Sequence, residues 1–282
     1  MEIAGYSYTW GPVTRPREID YPKLFQWYRD RDITTIELYD PWIEDKDDDH
    51  VKMIIDSLGE YGMDPRLCDV NCHVVSRDAD ERKRGAARFH DRLRVMNRIG
   101  IKIALILPFL PGYETDFTPG ECQEWLNSAL EESLPLAKEL GITLMIANLG
   151  FRGDIYGQAE WVVDACKALP DIRMVYDVGN FVMAGVDPVI ALDLVFSYMI
   201  HVHFKDWVTY DSEEVAGEMW LGHGDKWYQG CKFGEGIVNQ KAAAIRLKEL
   251  GYDGFVSPEY EGPGDPYEYM DQAIGYSREL IG

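Results

Sequence analysis

Short apolar, β-rich runs alternate with longer amphipathic segments along the whole chain. Eight such runs occur, at residues 3–8, 35–39, 64–68, 101–108, 143–148, 173–177, 200–204 and 254–257. Most of them precede a stretch with apolar residues at helical spacing, as at 21–31, 48–61 and 157–169. Strands that alternate with helices pair in parallel, and eight such units close into a barrel. The pattern predicts an α/β fold, a (β/α)8 TIM barrel, with residues 1–282 in a single domain.

The residues at the predicted helix ends agree with these boundaries. Residues 118–121 read Thr-Pro-Gly-Glu, which supplies an N-cap, a proline at the first helical position and a glutamate at the third. Gly100, Gly141 and Gly251 each follow a predicted helix and precede a strand. Pro135 lies inside the segment 120–140 and predicts a kink there.

One segment, residues 206–236, shows neither pattern and predicts a long irregular loop after the seventh strand. Loops of this length in compact domains usually have a function. This one is rich in aromatic residues, namely Trp207, Tyr210, Trp220, Trp227 and Tyr228. Their rings could stack on a sugar or an aromatic ligand, or they could anchor the loop to the rest of the fold. The first interpretation makes Trp220, Trp227 and Tyr228 candidate substrate-binding residues.

The net charge of the chain limits the classes of molecule that it is expected to bind. The chain has 28 Lys and Arg against 49 Asp and Glu, a net charge of −21, which repels nucleic acid and anionic lipid. Basic residues are concentrated in the segment 78–99, but Phe89, Leu93 and Met96 mark a buried stripe there, so the basic residues are expected on the outer face of the helix.

The amino-acid composition also indicates the cellular compartment in which the protein is expected. No run of about 18 apolar residues occurs, so no membrane span is predicted. The first residues lack the pattern of a signal peptide. The five cysteines are an odd number without the spacing of a metal cluster, which is typical of reduced thiols. These features together favour a cytoplasmic protein.

Polar side chains follow several of the predicted strands, where the active sites of barrels of this type lie. The candidates are His73, Asp177, Asn180, His201, His203, Lys205 and Glu259. Strand alternation puts His201, His203 and Lys205 on one face. Asp177, His203 and Glu259 come from three consecutive strands and can converge on a divalent ion, with Mn²⁺ expected first and Mg²⁺ or Co²⁺ as alternatives. A strand-end aspartate can also be a simple helix cap.

Four motifs extend this observation. They are Asp-x-Gly-Asn at 177–180, His-x-His-x-Lys-Asp at 201–206, Gly-Glu-Gly at 234–236 and Gly-Tyr-x-Gly-x-x-Ser-x-Glu at 251–259. Together they resemble the sugar phosphate isomerase/epimerase family, which has the xylose-isomerase-like TIM barrel. The resemblance covers essentially the whole chain and is most specific over 137–262.

The resemblance implies a metal bound by Asp177, His203 and Glu259. It also implies an enzyme that removes a proton next to the carbonyl of a keto-sugar or oxidised glycoside, with Glu259 as a proton-transfer group. His201 and Lys205 are further catalytic candidates, and His73 and Asn180 are candidate substrate-binding residues.

Position 147 departs from the family pattern. The family's fourth metal ligand is a glutamate at the end of strand five, in an Ile-Glu-Asn sequence, and this chain has Ala147 there. The neighbouring Asn148 points the other way by strand alternation. Three explanations stay open: an inactivating substitution, an enzyme with a single carboxylate base plus another group, or a homologue that only binds. Ala147 is therefore included among the catalytic positions.

The sequence identifies the residues of the candidate site more closely than it identifies the substrate. The leading prediction is a metal-dependent isomerase, epimerase or lyase that acts on a sugar or glycoside and forms a homo-oligomer. Similarity to C-glycoside deglycosidases, which work with a small second subunit, would explain the long aromatic segment. A non-catalytic carbohydrate-binding barrel is the alternative of another class. A nuclease like the DNA-repair relatives of this barrel needs more zinc-binding histidines than the six available and a basic face.

Overall fold

The computed structural model describes residues 1–10, 19–39, 43, 48–71, 74–107, 117–153, 155–213 and 219–282. The strands are β1 (Glu2–Ile3), β2 (Gly5–Tyr6), β3 (Thr35–Tyr39), β4 (Asp64–Asn71), β5 (Ile103–Leu107), β6 (Thr143–Ile146), β7 (Arg173–Asp177), β8 (Met199–Phe204), β9 (Trp207–Tyr210), β10 (Trp220–Leu221), β11 (Trp227–Gly230) and β12 (Phe255–Pro258). The α-helices are α1 (Tyr21–Arg29), α2 (Asp48–Tyr61), α3 (Ala79–Ile99), α4 (Pro119–Leu140), α5 (Ala159–Ala168), α6 (Val178–Met183), α7 (Pro188–Val195), α8 (Gln240–Glu249) and α9 (Pro266–Ile281).

Contacts within the chain define two compact units, one formed by Ala4–Ile146 with Ala168–Arg173 and the other by Met1–Ile3, Ala147–Lys167 and Met174–Gly282. In the first unit the strands follow the order β2-β3-β4-β5-β6, and every neighbouring pair is parallel. In the second unit the order is β1-β12-β8-β7, again parallel throughout. The parallel pairing expected from the alternating pattern is confirmed within each unit. The single domain stays a prediction.

Most of the expected elements lie where the sequence puts them. The strands Thr35–Tyr39 and Arg173–Asp177 and the helix Asp48–Tyr61 have the predicted bounds. These two strands are mostly buried because helices cover parallel sheets, so their pattern is easy to recognise. The two short helices α6 and α7 were not expected, because they are only six and eight residues long.

The helix ends are also confirmed. Thr118 caps α4 in a capping box with Glu121, and Gly100 and Gly141 end α3 and α4 in the left-handed conformation. Gly251 follows α8 with a φ of 79°. Helix α4 continues through Pro135.

The segment 206–236 is the main correction to the predicted elements. Its described residues form a small antiparallel sheet in the order β10-β11-β9, called the ribbon below. The three strands are two to four residues long, so their local pattern is too short to identify them. Pairing between strands distant in sequence makes the ribbon, and the local pattern does not encode that pairing.

The basic segment 78–99 forms helix α3, whose outer face carries Lys83, Arg84, Arg94 and Arg98 as expected. Arg92 is an exception, because it lies on the buried face of the helix with Leu93. Among the helices of the described ranges, none combines the length and the apolar character that crossing a bilayer requires.

Candidate active site

Asp177, His203 and Glu259 meet at the carboxyl ends of three neighbouring strands. Asp177 ends β7 and is in register with His203 of β8. Glu259 follows β12 directly, and its N–H donates to the carbonyl of Phe204 at 2.8 Å. One side-chain ligand atom from each of the three residues lies within 4.8 Å of the others, and all three residues are buried. The parallel register is thus what turns three distant motifs into one group.

Asp177 is held by two asparagines. The Asn148 amide donates to the Asp177 carbonyl and accepts from its N–H, both at 2.9 Å. One Asp177 oxygen, Oδ1, caps α6 by accepting from the N–H of Asn180 at 2.9 Å. The Asn180 side chain in turn donates to the Asn148 carbonyl at 2.9 Å. Asp177 is therefore a helix cap and also offers its Oδ2 to the site.

The ammonium of Lys205 lies among three buried carboxylates. Its Nζ is 3.1 Å from Asp177 Oδ2, 2.9 Å from Glu259 Oε2 and 2.7 Å from Glu261 Oε1. His203 Nδ1 approaches the same Glu259 oxygen at 3.4 Å and the same Asp177 oxygen at 3.8 Å. We call these five residues the carboxylate cluster. Three acidic side chains face one lysine, and two of them, Asp177 and Glu259, direct an oxygen at the same point as His203, so the cluster is built to hold additional positive charge.

Burial and charge pull the pKa values of the cluster in opposite directions. Burial alone raises the pKa of Glu259, but the Lys205 ammonium and a hydrogen bond with His203 outweigh it and lower that pKa to about 2. Burial raises the pKa of Glu261 to about 8, although the Lys205 ammonium opposes the shift. Burial lowers the pKa of Lys205, but the three carboxylates hold it well above its usual value. At neutral pH, Lys205 is therefore a proton-bearing donor and Glu259 is ionised.

His201 lies on the same face of β8 as His203, with the two rings perpendicular and their centroids 5.3 Å apart. Its Nε2 is 2.9 Å from Ser257 Oγ, in a buried hydrogen bond. This contact agrees with a supporting position one layer below the cluster. The catalytic role considered for His201 stays a prediction.

One face of the ribbon lies against the cluster. Trp207 donates from Nε1 to the carbonyl of Gly179 at 2.9 Å, and Trp220 donates from Nε1 to Glu261 Oε2 at 2.6 Å. The Trp220 ring also contacts Phe151, with centroids 5.3 Å apart. Tyr228 pairs with Trp220 across the strands and is buried against Trp207, with centroids 6.4 Å apart.

The three ribbon residues expected to bind substrate therefore separate. Trp227 comes one position before Tyr228, the cross-strand partner of Trp220, and so lies on the opposite face of the ribbon. Trp220 is half-buried beside the cluster, whereas the burial of Tyr228 fits the anchoring interpretation. Trp220 is thus the one of the three that combines partial exposure with a direct contact to the cluster.

Two residues of the site were not predicted from the sequence, and one predicted residue lies outside the part of the chain that the structure describes. Glu261 was part of no predicted site, although it stands two residues after Glu259, as expected for the same side of an extended segment. No sequence pattern around Phe151 indicated that it belongs to the site. His73 lies outside the described residues. Ala147 is buried and brings only a methyl group to the end of β6.

The donor set fits a divalent cation. Two carboxylates and an imidazole are ligands of the type that Mn²⁺, Mg²⁺ or Zn²⁺ takes, and their donor atoms are already gathered. The Lys205 ammonium shows that the oxygens of Asp177 and Glu259 are aimed at positive charge. Asp177, His203 and Glu259 would hold the metal, and Glu261 does not belong to this group of three.

Comparison with known proteins identifies the class of the chain. Residues 25–280 match the family model described as the xylose isomerase-like TIM barrel, so the chain belongs to that family. The predicted (β/α)8 TIM barrel is thereby confirmed. Two solved structures support the fold at low sequence identity: the IOLI protein with a bound zinc atom and D-psicose 3-epimerase in the presence of D-fructose. Their TM-scores are 0.79 and 0.77 at 14% and 16% identity, over 100% of this chain and 98% and 100% of theirs.

The curated relatives match part of the chain. An uncharacterized protein of Methanocaldococcus jannaschii is 29% identical over 157 residues, which are 53% of this chain and 48% of that protein. An inosose dehydratase of Lacticaseibacillus casei is 26% identical over 162 residues, 54% of this chain and 53% of the relative. The chain thus spans about half the length of the curated relatives it matches.

Proposed function

We propose that the chain is a metal-assisted enzyme that moves a proton at a carbon next to the carbonyl of a keto-sugar or a related polyol ketone. The observation that carries this proposal is the buried group Asp177, His203 and Glu259, with ligand atoms within 4.8 Å of one another. The names of the relatives agree at the level of sugar-modifying enzymes, since they include epimerases and a dehydratase.

The residues of the cluster have separable roles in this proposal. A bound divalent cation would polarise the carbonyl and neighbouring hydroxyl oxygens of the substrate. Glu259, ionised at neutral pH, accepts the proton from the carbon. Lys205 keeps its proton and donates a hydrogen bond to a substrate oxygen as charge develops there. Asn148 and Asn180 hold Asp177 in place through its backbone and its carboxylate.

Two outcomes of the same first step remain as proposals. Delivering a proton to the neighbouring carbon gives isomerisation and delivering it to the opposite face of the same carbon gives epimerisation, whereas expelling a neighbouring hydroxyl gives a dehydratase, a lyase. The Lys205 ammonium favours the second, because it can donate a hydrogen bond to the departing oxygen while Glu259 passes on the proton that turns the hydroxyl into water. With alanine at 147, the carboxylate that would serve the opposite face of the substrate carbon is missing, which also favours a reaction needing one base.

The aromatic side of the cluster supports a further candidate. Trp220 and Phe151 form an edge-to-face pair beside Glu261, and such a pair suits the planar aglycone of an oxidised C-glycoside. A C-glycoside deglycosidase would use the same proton abstraction and then eliminate the aromatic group. A barrel that only binds carbohydrate is the alternative without chemistry.

The test is hydrogen exchange in heavy water. The protein is loaded with Mn²⁺, Mg²⁺, Co²⁺ or Zn²⁺ in turn and incubated with a panel of keto-sugars, keto-cyclitols and 3-keto-glycosides. Mass spectrometry and NMR then locate any deuterium. We expect incorporation at one carbon next to the carbonyl, and its loss in Glu259→Gln, which keeps the size of the side chain. Metal binding without exchange on any substrate would favour the carbohydrate-binding barrel.

Several properties stay predictions alongside this proposal. They are the preference for Mn²⁺, the cytoplasmic location, the homo-oligomer and the small second subunit of the deglycosidase alternative. Nucleic acid and membranes are not expected as partners, because the net charge of −21 repels both phosphate backbones and anionic lipid.

A further inference from the structure

Glu261 is a buried carboxylate with both oxygens committed. Its Oε1 accepts from Lys205 Nζ at 2.7 Å, and its Oε2 accepts from the Trp220 indole at 2.6 Å. Its backbone carbonyl accepts from the N–H of Gly230 in the ribbon at 3.2 Å. Three contacts from two directions therefore fix where this carboxylate lies and how it is turned.

Lys205 and a divalent cation would compete for the same carboxylates. The ammonium lies 3.1 Å from Asp177 Oδ2 and 2.9 Å from Glu259 Oε2, the two residues that would bind the metal together with His203. Two positive charges cannot share these oxygens without repelling each other in a buried site. The shortest of the three contacts, however, joins Lys205 to Glu261, which is outside the ligand group.

We propose that Glu261 is a positioning residue that retains the Lys205 ammonium, so that Asp177 and Glu259 are free to bind the cation. This inference rests on the metal site of the proposed function. Trp220 contributes by holding the second oxygen of Glu261, which prevents the carboxylate from turning away from Lys205. The ribbon thereby stabilises the metal-binding arrangement without supplying a metal ligand.

The experiment is a double-mutant cycle read out by Mn²⁺ binding. The full chain, Glu261→Gln, Lys205→Met and the double variant are titrated with Mn²⁺ by calorimetry. Glu261→Gln should weaken Mn²⁺ binding by about 10- to 100-fold, the usual cost of removing a residue that supports metal ligands. In the Lys205→Met background the same change should alter the affinity by no more than about twofold, because Glu261 then has no ammonium to retain; this departure from additivity measures the coupling between the two residues. Lys205→Met alone should tighten binding.

Two controls separate positioning from other effects. Glu249→Gln removes an exposed carboxylate of α8 and should leave Mn²⁺ affinity unchanged. Trp220→Phe keeps an aromatic ring but removes the indole donor, and should weaken Mn²⁺ binding in the same direction as Glu261→Gln. Thermal unfolding monitored by circular dichroism checks that each variant is folded.

The outcomes distinguish this inference from the proposed function. An equal loss of affinity with and without Lys205 would show that Glu261 acts directly on the metal through its charge, and would overturn the positioning role alone. No loss in either background would overturn it as well. If the unaltered chain itself binds no Mn²⁺ or other divalent cation, both the proposed function and this inference are wrong.

Discussion

Gly179 provides the space that the side chain of Lys205 occupies. A Cβ at position 179 would lie 2.1 Å from Lys205 Cγ and 2.8 Å from Trp207 Nε1. The glycine of the Asp-x-Gly-Asn motif is thus required by a side chain of the neighbouring strand, because no larger residue leaves room for the lysine to reach the carboxylates. Its backbone carbonyl also accepts from Trp207, which joins the ribbon to the same point.

Gly179→Ala should therefore destabilise the fold and displace Lys205. We expect the free energy of unfolding to fall by about 1–3 kcal/mol, the usual cost of forcing a methyl group into a packed site. Urea denaturation measures it. The matched control is Gly275→Ala in α9, where a Cβ meets nothing within 4 Å, so that stability should rise by up to about 1 kcal/mol. Equal effects at the two positions would contradict the close packing at Gly179.

Ala147→Glu should supply the carboxylate that the family pattern has at this position. One more anionic oxygen should tighten Mn²⁺ binding, and a second positioned acid–base group should raise the turnover of an isomerase or epimerase by at least about 100-fold. Calorimetry and the exchange assay measure the two effects. Ala147→Gln has the same size without the charge and should do neither. If Ala147→Glu binds the metal no better than Ala147→Gln, position 147 does not face the site.

Asp177 caps α6 and is also a proposed metal ligand, and two substitutions separate these roles. Asn keeps an oxygen that can accept from the N–H of Asn180, whereas Ala does not. Both Asp177→Asn and Asp177→Ala should weaken Mn²⁺ binding by at least about tenfold, since even supporting residues are worth that much. Only Asp177→Ala should lose about a further 1 kcal/mol of stability through the cap. Unchanged Mn²⁺ affinity in Asp177→Asn would leave the aspartate as a cap alone.

Trp220 and Trp227 test which face of the ribbon meets the substrate. Trp220→Ala should raise KM on any active substrate by about 2- to 10-fold, which corresponds to the roughly 0.5–1.5 kcal/mol of an aromatic contact. Trp227→Ala should leave KM unchanged, because this side chain lies on the opposite face. Steady-state kinetics decide between them. A rise in KM for Trp227→Ala alone would reverse the assignment of the faces.

The sequence predicts the repeating elements well because their signals are local. The strands Thr35–Tyr39 and Arg173–Asp177 are short, mostly buried runs rich in β-branched and aromatic residues, and α4 carries its own capping box. The ribbon is different, since strands of two to four residues are stable only through pairing with each other. A long aromatic segment without periodicity therefore looks irregular until its partners are known.

The chemical types in the candidate site were also readable from the sequence. Asp177, His203 and Glu259 end consecutive parallel strands, and in parallel strands such ends lie at the same edge. What the motifs could not show is how each group is held. In the sequence, Asn148 is notable only as the neighbour of the unusual Ala147. In the structure, its amide side chain hydrogen-bonds both the N–H and the carbonyl of Asp177.

Apart from the ribbon and the short helices α6 and α7, the sequence by itself determined the order of strands and helices, the candidate ligand types and the strand ends that carry them, because periodicity and motif spacing are properties of neighbouring residues. The tertiary structure alone decided that Lys205 lies among three carboxylates, that Glu261 holds it, and that Trp220 rather than Trp227 contacts the cluster. The contacts that join Lys205 and Trp220 to Glu261 span 56 and 41 positions of the sequence. Burial makes each of them strong, and burial is a property of the folded chain.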